Sequence, residues 1–136
     1  MGPSSTVMNT PVRTLSPASM APPGGHYHHA AMAGGLVFIS GQLPITPDGR
    51  KLVDAPFEEQ ARQVLHNVQA ALLGAGSGVQ RLVQVRVYVT DIQHWPLSNT
   101  LYAEWAGSHR PAGAVVPVPH LHHGFLLEVE AVAALP

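Results

Sequence analysis

No cysteine occurs anywhere in the chain, which excludes disulfides, thiolate nucleophiles and thiolate-bound metal. Charge is nearly as scarce. Only 11% of the 136 residues are charged, against roughly 25% in ordinary soluble domains. So weakly polar a surface is easier to understand if a partner subunit covers part of it. The net charge is −1 and the basic residues, from Arg13 to Arg110, are scattered. Nucleic-acid binders gather theirs into a stripe, because neutralising phosphates supplies most of their affinity. No nucleic-acid partner is therefore expected. No apolar run reaches the ~20 residues of a membrane-crossing helix. The opening residues, MGPSSTVMNTPVRTLSPASMAPPGG, carry neither the basic nor the apolar stretch of a secretion signal. The expectation is a cytoplasmic protein without a membrane partner.

What is present is one domain's worth of chain, with 46% apolar residues. Residues 1–24, rich in Pro, Ser, Thr and Gly, read as a flexible N-terminal arm, and 25–136 as the domain. Leu36-Val37-Phe38-Ile39, entered by Gly34-Gly35 and left by Gly41, reads as a buried strand. Pro47-Asp48-Gly49 is a turn, since proline presets φ and Asp-Gly tolerates the left-handed position. From Pro56 to Ala75 the apolar residues Phe57, Ala61, Val64, Leu65, Val68, Ala71 and Leu72 recur at spacings of three and four, which predicts a one-faced helix. Val83, Val85, Val87 and Val89 alternate with Gln84, Arg86 and Tyr88, as in a half-buried strand. A second helix over Pro96–Gly107 and strands near Ala114–Val118 and Phe125–Ala134 complete an order β-β-α-β-α-β-β. That order predicts an α+β fold, a mixed sheet with two helices on one face.

Seven words along this order are more specific. They are Gly25-His26-Tyr27-His28-His29-Ala30, Phe38-Ile39-Ser40-Gly41-Gln42-Leu43-Pro44 and Glu59-Gln60-Ala61-Arg62-Gln63-Val64-Leu65-His66-Asn67-Val68. Then come Val87-Tyr88-Val89-Thr90-Asp91, Asn99 with Tyr102, Arg110-Pro111-Ala112 and Leu127-Glu128-Val129-Glu130-Ala131. In this sequence of words the chain resembles the RidA/YjgF (reactive intermediate deaminase) family, once labelled endoribonuclease L-PSP. The resemblance implies a chorismate-mutase-like fold and a homotrimer with small-molecule sites in the clefts between subunits. It also implies hydrolysis of imines or enamines without metal or organic cofactor. By position it assigns the site to Tyr27, Ser40, Gly41 and Glu128. The family's arginine, in the word P-A-R-S/T, is missing: Gly113 stands there. A guanidinium grips a carboxylate through a planar fork that glycine cannot replace, and losing such a contact costs about 1.5–3 kcal/mol. Ordinary deamination of small carboxylate-bearing imines is therefore expected to be weak, and Gly113→Arg to restore it.

Two histidine clusters, His26-Tyr27-His28-His29 and His120-Leu121-His122-His123, border this site by position. Residues two apart in a strand share a face, so His26 with His28, or His120 with His122, would present two imidazoles together. Imidazole serves in acid/base catalysis, substrate hydrogen bonding or metal binding, and it is as common in a plain loop. His29, His120 and His122 are taken as substrate-contacting candidates, with no metal site assigned. Glu128 and Glu130 share a face, and a carboxylate near apolar walls has its pKa raised and can act as acid or base. Glu128 and Tyr27 are the candidate catalytic groups, whereas Glu130 is expected to pair with an arginine such as Arg86. Ser40 lacks the G-x-S-x-G setting of a nucleophile, so it and the Gly41 amide are read as hydrogen-bond donors. Gly113, Tyr102 and Trp105 are candidate walls, and Lys51, just past a turn, is a poor Schiff-base former. The expected function is action on an imine, enamine or related carbonyl intermediate by hydrolysis, tautomerisation or cyclisation, in specialised biosynthesis. The alternative is a non-catalytic ligand-binding or regulatory trimer.

Overall fold

The computed structural model describes residues 11–136, which form one six-stranded mixed sheet with two helices on one face. The strands are β1 (Arg13–Leu15), β2 (Ala30–Ala33), β3 (Leu36–Gln42), β4 (Leu82–Val89), β5 (Ala112–Pro117) and β6 (Leu127–Ala134). The helices are α1 (Phe57–Gly74), between β3 and β4, and α2 (Trp95–Ala106), between β4 and β5. Across the sheet the order is β1-β2-β3-β6-β4-β5. Neighbours are antiparallel except β4 and β5, which α2 joins as a parallel pair. The last strand thus enters the middle of the sheet, beside β3 on one side and β4 on the other.

The apolar periodicity read from the sequence decides which faces meet. All seven predicted apolar positions of α1 are buried. All but Leu65 belong to one core cluster with Val37 and Ile39 of β3 and Leu127, Val129, Ala131 and Ala133 of β6. Strict alternation along β6 sends Glu128, Glu130 and Val132 to the opposite, helix-free face. One polar side chain ties helix to sheet. Gln60, wholly buried, donates from Nε2 to the Ala55 carbonyl at 3.0 Å and accepts the Leu126 amide at 3.0 Å. This fixes the chain just before β6.

Two expectations need correction. Of the arm expected over 1–24, residues 1–10 lie outside the described residues, and 13–24 are built into the domain. Arg13 pairs with Met32 and Leu15 with Ala30, while Met20 is buried in the core. A three-residue strand is too short to leave a period, and proline-rich flanks hid it. The second concerns β4, where Val83 was grouped with Val85, Val87 and Val89. A bulge between Leu82 and Gln84 breaks the alternation, so Leu82 is buried and Val83 is 46% exposed on the outer face.

Replacing Gln60 by Leu keeps the bulk but strands a buried carbonyl and a buried amide, which should cost about 2–4 kcal/mol. Denaturant unfolding measures this; an unchanged midpoint would mean that the amide bridge contributes nothing.

Candidate functional site

The site grows from an irregularity in β3. Ile39 pairs with Ala131 and Gln42 with Val129, so Ser40 and Gly41 fall between paired positions as a bulge. Bulges re-aim side chains and often border functional sites. Here a chain of hydrogen bonds holds it. The Ser40 amide donates to the His29 carbonyl at 2.9 Å, and its hydroxyl to the His28 carbonyl at 2.6 Å. Gln42 Nε2 donates to the Ser40 carbonyl at 3.0 Å and to His29 Nδ1 at 3.1 Å. His29 Nε2 in turn donates to the Ala21 carbonyl at 2.8 Å. The pattern requires the neutral tautomer with hydrogen on Nε2 and leaves neither ring nitrogen for a ligand.

Against this bulge rests the carboxyl group of Glu128, from the neighbouring strand. A Cβ on Gly41 would lie 2.5 Å from Glu128 Oε2 and 2.9 Å from its Cδ. Only a residue without a side chain leaves the carboxyl this seat. Burial raises the Glu128 pKa; the charge of His122 opposes that shift and the nearby Glu130 adds to it. A cleft of about 660 Å³ opens in front, lined by Tyr27, Ser40, Gly41, Lys51, His122, His123 and Glu128 among others. Its outer lip is Ala21, Pro22, Gly24 and Gly25, the segment that His29 ties down. Tyr27 is 48% exposed, its amide bonded to the Gly25 carbonyl in a tight turn.

The structure therefore brings together Glu128, Tyr27, Ser40, Gly41 and His122, but not the remaining candidates. His29 is a buried strut, not a cleft residue. His26 lies in a bend and His28 just beyond it, neither in a strand, and His28 Nδ1 pairs with the Ser16 hydroxyl at 3.0 Å. His120 stays exposed on the loop after β5 and lines neither the cleft nor the cavity at Gly113. The pair presented to the cleft is His122 with His123, because a 3-10 turn with His123 at φ 59° replaces the expected strand geometry. Gly113 and Tyr102 face a separate cavity of about 310 Å³ with Trp95, Ser98 and Asn99. Trp105 packs against the hydrophobic core. Nor can arginine simply return to position 113, since a Cβ there would lie 2.6 Å from the Val85 carbonyl oxygen. The expected gain from Gly113→Arg is withdrawn on that ground. Glu130 is bound up on the outer face, 3.6 Å from Arg86 and hydrogen-bonded by the Tyr88 hydroxyl. Among the described residues no group of three or more His, Asp or Glu is placed to hold a metal ion. Of the other cleft residues, Lys51 was weighed only as a Schiff-base former, and His123 was named only as part of its histidine cluster.

With this geometry in hand, comparison with known proteins is specific. The family model described as endoribonuclease L-PSP matches residues 18–135. The Saccharomyces cerevisiae protein HMF1 is 37% identical over 126 residues, covering 90% of this chain and 97% of that protein. The crystal structure of yeast Mmf1 superposes with a TM-score of 0.88 at 30% identity, covering 93% of this chain and 100% of that one. Escherichia coli TdcF, solved with bound serine, gives 0.84 at 29% identity, covering 91% and 99%.

The raised pKa of Glu128 has a consequence for stability. The folded protein binds this proton more tightly than the unfolded chain, so the stability it lends is complete below the ordinary carboxylate range and is lost as pH rises through the elevated value. Glu128→Gln has no proton to lose. Relative to wild type, it should gain stability as pH rises from ~4 to neutrality. Denaturant midpoints across that range test this, and a difference constant with pH would contradict it.

Proposed function

The chain belongs to the endoribonuclease L-PSP family, the RidA/YjgF proteins, and we propose that its Glu128 cleft acts on an imine, enamine or related carbonyl intermediate. The observation that carries this reading is the half-buried Glu128 seated on Gly41, its pKa raised by burial. A carboxyl whose burial favours its protonated form can give that proton to an imine nitrogen, and the resulting carboxylate can take one from water. In hydrolysis, Glu128 protonates the nitrogen and water adds to the carbon of the C=N bond. Collapse of the resulting amino alcohol then releases ammonia and a carbonyl compound. Tyr27 lines the cleft, and of the two residues read as donors Gly41 keeps that role, because the amide, carbonyl and hydroxyl of Ser40 are spent inside the bulge. The same carboxyl, moving a proton between nitrogen and an adjacent carbon, would interconvert imine and enamine or start a cyclisation. The residues read as substrate contacts lie on two separate surfaces of one chain, the cleft and the Gly113–Tyr102 cavity. A homotrimer with sites between subunits would let one copy's cavity complete another's cleft. Phe38 and Val83, each 46% exposed on the outer sheet face, support such an interface.

Gly113 removes the planar guanidinium clamp from that cavity, which supports a specialised intermediate as the substrate. It also supports the second reading, a trimer that binds small molecules without turning them over. Imines generated by an amino-acid or amine oxidase separate the two. The enzyme reading expects wild type to accelerate carbonyl release and Glu128→Gln to lose ~10²–10⁴-fold in rate. Gly41→Ala, which pushes the carboxyl off its seat, should lose activity while the fold is kept. Full turnover in Glu128→Gln would remove Glu128 from the mechanism, and no acceleration by wild type on any imine would favour the binding reading. Light scattering at micromolar concentration should give three times the chain mass of 14.4 kDa; a monomer would contradict the shared site.

A further inference from the structure

We propose that Lys51 determines specificity in this cleft, its ammonium binding a substrate carboxylate while the reacting carbon faces Glu128. The proposal deepens the imine reading of the same site and rests on it for the identity of the reacting end. Three observations carry it.

Lys51 is the sole lysine of the chain, and it lines the cleft that also contains Glu128, Gly41, His122 and His123. It is presented by a braced hairpin rather than a loose loop. Ile45 bridges to Lys51 across the turn, and the Leu52 amide donates to the Pro44 carbonyl at 3.0 Å. The Thr46 amide donates to the Arg50 carbonyl at 2.9 Å, and the Arg50 amide to the Thr46 hydroxyl at 3.0 Å. Asn67, buried on α1, clamps the near strand by donating to the carbonyls of Leu43 at 3.1 Å and Ile45 at 2.9 Å. The backbone under Lys51 is thus tied to the core helix.

The charge on Lys51 is also uncommitted. Among the described residues the ion pairs are Arg62 with Glu58 and Glu104, and Arg86 with Glu130; none uses Lys51. The hairpin's own carboxylate, Asp48, accepts the Thr46 hydroxyl, and no ion pair joins it to Lys51. Elsewhere, Arg110 lines neither cavity and Gly113 offers no charge. An ammonium is a point charge on a flexible stem, not a planar fork. Lys51 therefore selects for an anionic end while tolerating more variation in substrate length than a bidentate guanidinium does.

The test compares Lys51→Met and Lys51→Arg on two imines, one from a 2-amino acid and one from the matching amine without the carboxylate. Lys51→Met should raise KM for the carboxylated imine ~10–100-fold, with kcat within about twofold and the neutral imine unaffected. Lys51→Arg should recover most of the loss. An unchanged KM on the carboxylated imine, or equal losses on both, would overturn the proposal. Calorimetric titration with pyruvate, the 2-oxo acid a three-carbon imine yields, reads the site without turnover. Binding that Lys51→Met abolishes, in a protein inactive on every imine, would sink the hydrolytic reading and leave the carboxylate site standing. Equal pyruvate binding in wild type and Lys51→Met, or none in an inactive wild type, would overturn the Lys51 proposal.

Discussion

The carboxyl group of Glu128 occupies a place that exists because Gly41 has no side chain, and much else in the molecule is arranged to keep that place open. Glu128 comes from the central strand β6 and Gly41 from a bulge in β3, so their approach is set by strand pairing rather than by a loop. The bulge is in turn held from behind. Gln42 spends both its amide hydrogens on Ser40 and His29, and His29 passes the connection on to Ala21 at the rim. Such a network resists deformation because every buried member is satisfied, and loss of one leaves partners stranded at a cost of about 1–3 kcal/mol each. A titrating group held this way is positioned as functional sites require, on rigid elements with a supporting shell.

The electrostatics of the site follow from the same arrangement. Two carboxylates stand two residues apart on β6, and their surroundings push them to different uses. Glu130 meets Arg86 and the Tyr88 hydroxyl, which bind it into the outer sheet face. Glu128 meets a glycine bulge and apolar lip residues, so burial dominates and disfavours charge. Surroundings so different suit the two carboxyls to different uses. The cations of the cleft, Lys51 and any protonated histidine of the 122–123 pair, lie on the chain's own hairpin and turn rather than at position 113.

Much of this was legible from residue order alone. The spacing of Phe57 to Leu72 gave α1 and its buried face, and the alternation around Glu128 and Glu130 gave the face they share. The motif Phe38-Ile39-Ser40-Gly41-Gln42 placed the glycine and the strand, though not the bulge, because a bulge leaves no period behind. Val83 escaped for the same reason. His29 looked like chemistry because histidine often is; its role as a strut depends on Ala21 and Gln42, which only folding brings together. His120 and His122 were paired on an assumed strand, and a left-handed His123 broke that assumption. Lys51 was judged by its neighbours in sequence, whereas its place in the cleft comes from a hairpin pinned by Asn67, more than a turn into α1.

The claim on which the account turns is that Glu128 keeps its proton beyond the range where carboxylic acids ordinarily lose it. Carbon-detected NMR of the Glu128 side-chain carboxyl, followed across pH in the native protein, measures this site by site. The expected result is a titration displaced above the ordinary carboxylate range, as burial of the group requires. The displacement should shrink in Gly41→Ala, where the carboxyl is driven from its seat. A Glu128 that titrates within the ordinary carboxylate range, or below it, would contradict the claim.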